Sequence, residues 1–269
     1  MSLTYDLYQP GQSPLHRADP RVKLLLTVCA SAALLTIQNL WLILLALAGV
    51  HGLLLGAGIR RERVVWIWRV TLPTVLLIAI LWALLNPTPE EPWLVWWFVS
   101  LSAYNLAQGL AIGLRIAALA FVVFLWLFTT DQVELVLGLV ALGLPYTWGL
   151  TLAMALRYLP TMGSAFRTIS EAQQARALDL TQGGPVRRAK AYIPITVAML
   201  ISSLRTTQHV SYALESRALG ALPYRTYLHQ LRFRPLDWAL TVGILLATGI
   251  FFWARLTLGL GTHPLVVWP

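Results

Sequence analysis

VKLLLTVCASAALLTIQNLWLILLALAGVHGLLLGAGI, residues 22–59, is apolar almost throughout and is interrupted only at Gln38-Asn39. A bilayer crossing takes about 20 residues, so this stretch is too long for one span and reads as two helices joined at the polar pair. Working outward, a third apolar run covers 64–85 and stops at Asn86-Pro87, with Pro89 and Pro92 following, residues that cannot continue a helix. A fourth runs from about Leu106 to Phe128 and a last one from Leu236 to Leu258. The expected fold is an all-α integral membrane protein with about five transmembrane helices.

Composition agrees. The 269 residues are 58% hydrophobic and 12% charged with a mean hydropathy of +0.68, too apolar for a water-soluble domain of this size. Twelve Trp residues suit a chain that places aromatic bodies in acyl chains and N–H groups among headgroups. The net charge of +9 sits between the apolar runs, which points to the lipid bilayer and not to nucleic acid as the partner. A lone Cys29 allows neither a disulfide framework nor a thiolate metal cluster within the chain. The first 21 residues are polar and hold Pro10, Pro14 and Pro20, so no cleavable signal peptide is expected.

Lys and Arg are retained on the cytoplasmic side. Arg60, Arg61, Arg63 and Arg69 follow the second run, whereas 87–105 has neither Lys nor Arg and holds Glu90 and Glu91. The N-terminus, with Arg17, Arg21 and Lys23, is therefore expected inside and the C-terminus outside. Residues 129–235 contain eleven of the twenty basic residues. This gives three divisions: 1–128 with the N-terminal tail and four spans, 129–235 as a cytoplasmic module, and 236–269 as the last span and outside tail. The module's segments 147–159 and 193–204 are too apolar to face water on all sides, so they lie on the membrane, under the spans or in a partner. Pro145, Pro160, Gly183-Gly184-Pro185, Pro194 and Pro223 are expected to break it into about three helices.

One pattern occurs twice in the module: AQQARAL at 172–178 and ALESRAL at 213–219. The two arginines, Arg176 and Arg217, are each expected near a helix end, the first stopped by Gly183-Gly184-Pro185 and the second by Gly220 and Pro223. A single Arg in a last turn would do no more than complement the helix dipole, worth about 0.3–1 kcal/mol. The repetition of small residues around each Arg suggests more: a narrow tip that enters a groove while the guanidinium reaches a carboxylate. Two equivalent tips suit two equivalent receptors, such as a dimer of nucleotide-binding subunits.

These residues, with Tyr8-Gln9-Pro10-Gly11-Gln12-Ser13, Leu15-His16-Arg17-Ala18-Asp19-Pro20-Arg21-Val22-Lys23, Leu156-Arg157-Tyr158-Leu159-Pro160-Thr161 and Tyr224-Arg225-Thr226, resemble the transmembrane T components of energy-coupling factor transporters over nearly the whole chain. The resemblance implies a non-catalytic subunit of an ATP-driven importer of vitamins or transition-metal ions in a prokaryotic cytoplasmic membrane. Its partners would be two ATP-binding cassette ATPase subunits and a membrane-embedded substrate-binding S component. The family's two Ala-Arg-Gly motifs, which dock on the ATPases, fall by position on Ala175, Arg176, Ala177 and on Ser216, Arg217, Ala218. Glu171, Glu215, Arg157 and Pro160 take supporting places in the coupling motif. Both family glycines are Ala here, and Gly163, Ser164 and Ala165 stand where members of the family often have acidic residues.

No catalytic set, resident cofactor or metal site is expected. The acidic residues cluster outside the spans, the five His residues are scattered, and no Gly-rich phosphate loop ending in Lys-Ser or Lys-Thr occurs. A self-contained secondary transporter or channel is the alternative, but it would need an ionisable centre near the membrane midplane, whereas the repeat lies in the module. Of the charged residues within spans, Arg69 is placed to snorkel, and Arg115 either pairs with a neighbouring helix or faces a partner. His51 reads as a hydrogen-bonded interior His. Met154, Met162 and Met199 fit a smooth moving surface or plain core filling.

Overall fold

The computed structural model describes residues 8–85, 94–96, 99–101, 103–180, 184–220 and 233–261. Expectations for Asn86-Pro87, Pro89 to Pro92, Gly183, Pro223 and Tyr224-Arg225-Thr226 lie outside the described residues. The chain forms two compact units, Met1–Leu144 with Leu231–Pro269, and Pro145–Gln230.

In the first unit α1 (Pro14–Arg17) leads to α2 (Pro20–Thr36), α3 (Leu40–Gly56) and α4 (Arg61–Leu85). Two three-residue strands, β1 (Leu94–Trp96) and β2 (Val99–Leu101), pair antiparallel with Leu94 opposite Leu101. Then come α5 (Ala103–Thr129), α6 (Gln132–Ala141) and, after the second unit, α10 (Pro235–Leu258). The polar break in the long apolar run is a helix cap. Asn39 is fully buried, and its Oδ1 accepts from the amides of Trp41 at 3.0 Å and Leu42 at 3.1 Å, satisfying donors that the first turn of α3 leaves open. Apart from the short β1–β2 hairpin, the described elements are helical, as expected of an all-α membrane protein, and each of the five apolar runs read in the sequence forms a helix. Three of them, Arg61–Trp82, Tyr104–Thr129 and Pro235–Leu258, are long and apolar enough to cross. At 17 residues each, α2 and α3 extend only about 26 Å, against a hydrocarbon layer of about 30 Å.

The hub is α5, which packs on α2, α3 and α4. Where α5 crosses α4 its side is glycine: a Cβ on Gly109 would stand 2.8 Å from the Ala79 carbonyl oxygen, and one on Gly113 would stand 2.8 Å from that of Val75. This small-xxx-small spacing lets two backbones touch, the way helices associate where no hydrophobic gradient drives them together. Lower down, Phe121 and Phe128 fill the space between α5 and Leu54, Ile59 and Ile67. By contrast α10 has no buried residue in its apolar stretch, and Leu245, Leu246, Ile250, Trp253 and Leu256 are open to lipid.

Several buried polar residues of the first unit gather where α5 ends. Lys23, only 3% exposed, donates through Nζ to the carbonyls of Thr129 at 2.8 Å and His16 at 3.0 Å and faces Glu134 at 3.7 Å. It thereby satisfies a carbonyl in the last turn of α5, and the Gln9 amide satisfies that of Phe128 at 3.0 Å. Buried Asp237 accepts the Asp19 amide at 3.0 Å and the Arg234 amide at 2.9 Å, fixing the start of α10 to the start of α2. His51 is held on both nitrogens: Nδ1–H donates to the Leu47 carbonyl at 2.8 Å and Nε2 accepts from Trp68 Nε1 at 3.0 Å.

The second unit consists of α7 (Tyr146–Ala175), α8 (Pro185–Ala191) and α9 (Ile193–Ser216), with α9 packing on α7 and α8. It starts later than the sequence division at 129, because α6 packs on α2 in the first unit. Pro160 does not break a helix as expected; α7 runs through it for 30 residues. Proline removes one N–H and crowds one carbonyl, at a cost of about 3 kcal/mol in a helix interior, and the helical turns on both sides carry α7 through it. Pro145, Pro185 and Pro194 do sit at helix starts, where a missing N–H costs nothing.

Candidate coupling site

The repeated pattern is one local structure formed twice. At the end of α7, Arg176 is the C-cap and Ala177 follows with φ 66°. The Ala177 amide donates to Gln174 O at 3.0 Å and the Leu178 amide to Gln173 O at 3.1 Å. At the end of α9, Arg217 is the C-cap and Ala218 has φ 54°; the Ala218 amide donates to Glu215 O at 2.9 Å and the Leu219 amide to Leu214 O at 3.0 Å. Both are Schellman motifs, in which a left-handed residue after the cap turns two amides back onto open carbonyls, with a hydrophobic residue next. The stops expected at the glycines are therefore made earlier, by Ala177 and Ala218. The reason is that the left-handed turn needs only one residue, and here that residue is the alanine after each arginine.

Glycine is the usual occupant of such a position, because a Cβ there costs roughly 1–2 kcal/mol. Ala177 and Ala218 are the only non-glycine residues with positive φ among the described residues. The sequence shows an alanine after each arginine, whereas the left-handed backbone of both appears only in the fold. Ala175, Arg176, Ala177, Ser216, Arg217 and Ala218 are all exposed. Neither guanidinium forms an ion pair with a described residue, so each tip offers a free bidentate donor beside small side chains. Ser216 turns its hydroxyl back onto the Ala213 carbonyl at 3.0 Å, keeping it out of the arginine's way.

The supporting residues are exposed, and of them only Glu215 belongs to a tip, where its carbonyl accepts the Ala218 amide. Glu215 is two residues before Arg217, where the first motif has Gln174, while Glu171 matches Tyr212 in register. Arg157 lies roughly 28 Å from Arg176 along α7, at about 1.5 Å per residue, with Pro160 between them on an exposed stretch. Met154, Met162 and Met199 are half-buried. The flanks of α7 and α9 expose Leu159, Phe166, Val197, Leu200, Leu204 and Tyr212, an apolar surface beyond what an unpartnered soluble unit carries. Reading the sequence did not single out Lys23, Asp237 or the Gly109/Gly113 crossing; the Gly-x-x-x-Gly spacing in an apolar run was the available signal for the last.

Residues 11–228 match the family described as cobalt transport protein, CbiQ. The chain is also 30% identical to the energy-coupling factor transporter transmembrane protein EcfT of Thermanaerovibrio acidaminovorans, across 94% of this chain and 97% of that protein. The proteins of the same description from Lactococcus lactis and Brevibacillus brevis are 29% and 30% identical, over 93% and 92% of this chain and 97% and 96% of theirs. The chain belongs to this family, the transmembrane T components of energy-coupling factor transporters, and is a multi-pass membrane protein.

Proposed function

We propose that the chain is the non-catalytic coupling subunit of an ATP-driven importer of vitamins or transition-metal ions in a prokaryotic cytoplasmic membrane. Arg176 and Arg217 dock into grooves on two ATP-binding cassette ATPase subunits, and the apolar flanks of α7 and α9 hold a membrane-embedded substrate-binding S component. The observation that carries this reading is the pair of matching Schellman turns, each presenting an exposed Arg, without an ion-pair partner among the described residues, between small residues. When ATP draws the two ATPases together, two rigidly capped tips move with them and shift the long helices behind. The N-terminus and residues 129–235 lie on the cytoplasmic side, where Lys and Arg concentrate.

The test compares wild type, Arg176→Glu, Arg217→Glu and the double variant in ATPase pull-down and ATP-dependent uptake. Loss of a desolvated charge contact costs about 2–5 kcal/mol and reversal more, so the double variant should release both ATPases and stop uptake while still inserting in the membrane. Unchanged ATPase binding and uptake would reduce the arginines to helix caps.

A further inference from the structure

Asp237 accepts from two backbones at once, the Asp19 amide at 3.0 Å and the Arg234 amide at 2.9 Å, so the first turns of α2 and α10 stand side by side at the Lys23 level. Two arginines border this junction. Arg21 extends from α2 over the ring of Phe233, its guanidinium carbon 5.4 Å from the ring centroid, and Phe233 directly precedes Arg234, the exposed N-cap of α10. Phe233 also packs on Trp238 at 5.4 Å, and Trp238 is exposed, as a side chain at a membrane–water boundary is.

Arg21 Nε is buried without a hydrogen bond, 4.0 Å from Asp19 Oδ1, an oxygen that already accepts the Arg21 amide at 2.9 Å. Arg234 forms no ion pair with a described residue. The other acids of this unit are placed elsewhere. Asp237 is occupied by its two amides, Asp131 caps α6, and Glu134 faces Lys23, which points to the opposite side of α2 from Arg21. Glu62 starts α4, which packs on α5, and Glu90 and Glu91 follow the other end of that helix. Residues 221–232, which lead into α10, hold Arg225 and Arg232 but no Asp or Glu, and Asp6 precedes Gln9, whose amide is bonded to Phe128 at the end of α5. A cationic site of this kind at the start of a span suits a phosphate, whose oxygens a guanidinium meets bidentately.

Below this junction α2 and α10 leave an apolar groove of about 410 Å³, floored by Ala30, Ala33, Gly243 and Ala247. Helix α10 has 24 residues and is about 36 Å long, enough for a hydrocarbon layer of about 30 Å and one headgroup layer of roughly 6 Å. On α10 the groove starts at Ala239, roughly 6 Å below Pro235, and ends at Phe251, roughly 18 Å further on. It therefore opens where the hydrocarbon begins and ends near the midplane, in the leaflet of the Lys23 level. Spread over that length, its volume gives a mean width of roughly 5 Å, about half that of a helix with its side chains, so an extended chain fits and a helix does not.

We propose that Arg21 and Arg234 bind the phosphate of an anionic phospholipid in the leaflet of the Lys23 level, with one of its acyl chains in the α2–α10 groove. The acyl chain fills the space where small side chains keep the two helices from meeting, and the phosphate answers the two arginines above it.

The test uses the full chain, with whatever subunits copurify, exchanged into bilayer discs of phosphatidylcholine and phosphatidylglycerol, and native mass spectrometry to count each lipid retained. Gly243→Leu fills the groove, and Gly249→Leu is its control on the other side of α10; at both Cβ positions nothing stands within 4 Å. Gly243→Leu should weaken lipid retention about tenfold or more, whereas Gly249→Leu should match wild type. Arg21→Gln/Arg234→Gln should remove most of the preference for phosphatidylglycerol over phosphatidylcholine, and Arg234→Gln alone, at an exposed position, should remove part of it. Millimolar glycerol phosphate should not displace the lipid. Matching melting temperatures of the two leucine variants in phosphatidylcholine check that both are folded. Equal retention by Gly243→Leu and Gly249→Leu overturns the proposal, as does a preference for phosphatidylglycerol that survives the loss of both arginines. Displacement by glycerol phosphate overturns it by showing a phosphate site without a chain. Loss of a protein subunit from Gly243→Leu at unchanged lipid retention overturns it by giving the groove to a partner helix.

Discussion

Ala177 and Ala218 hold the same left-handed conformation at the same place in two turns, each directly after an arginine that ends its helix. The two arginine tips therefore share a backbone as well as a sequence pattern, and each carries the cost of a Cβ where glycine would carry none. Ala177→Gly and Ala218→Gly should each stabilise the local turn by about 1 kcal/mol. Hydrogen exchange at the Leu178 and Leu219 amides, which close the turns, should slow roughly fivefold. Unaltered exchange would mean that the left-handed cap is not what holds the tips.

Lys23 makes the costliest single commitment in the first unit. Lys23→Met leaves the Thr129 and His16 carbonyls without their donor and Glu134 without its cation. The expected loss is about 3–5 kcal/mol, that of breaking a buried charged contact from one side. Thermal unfolding in detergent measures it, and a shift of no more than a degree or two, equivalent to well under about 1 kcal/mol, would show that water replaces the lysine.

The α4–α5 crossing predicts a contrast among glycines. Gly113→Leu sets a side chain against the Val75 carbonyl and should destabilise by at least about 1–3 kcal/mol, the cost of overpacking. Gly52→Leu and Gly249→Leu meet open space and should leave the melting temperature nearly unchanged. Equal effects at the three positions would mean that the crossing is not the close one described here.

His16 gives the N-terminal fold a pH dependence. Its Nε2–H donates to the Gln9 carbonyl at 3.0 Å and its Nδ1 accepts from Ser13 Oγ at 2.7 Å, the pattern of a neutral ring. Burial, the largest influence, lowers its pKa below 6.5; the Gln9 carbonyl opposes this, the Lys23 charge adds to it and Glu134 opposes it. The unfolded chain therefore takes the proton first. Stability from His16 is complete above pH 6.5 and is lost as the pH falls through the lowered folded-state value. Melting temperatures between about pH 7.5 and about pH 5 should fall less for His16→Gln than for wild type across the range where histidine titrates. Parallel profiles would assign the dependence to another group.

The sequence by itself determined the helical membrane fold and the placement of its apolar helices, because the thickness of hydrocarbon dictates how long an apolar run must be. It also determined where the two arginine tips lie, because a pattern repeated 41 positions apart survives any packing. Tertiary structure alone decided that Lys23 caps α5 from 106 positions away and that Asp237 ties α10 to α2 from 218 positions away. It also decided that α7 continues through Pro160 and that two alanines turn left-handed. Each of these balances a local cost of about 1–3 kcal/mol against contacts made elsewhere, and the sum depends on neighbours that only the folded chain brings together.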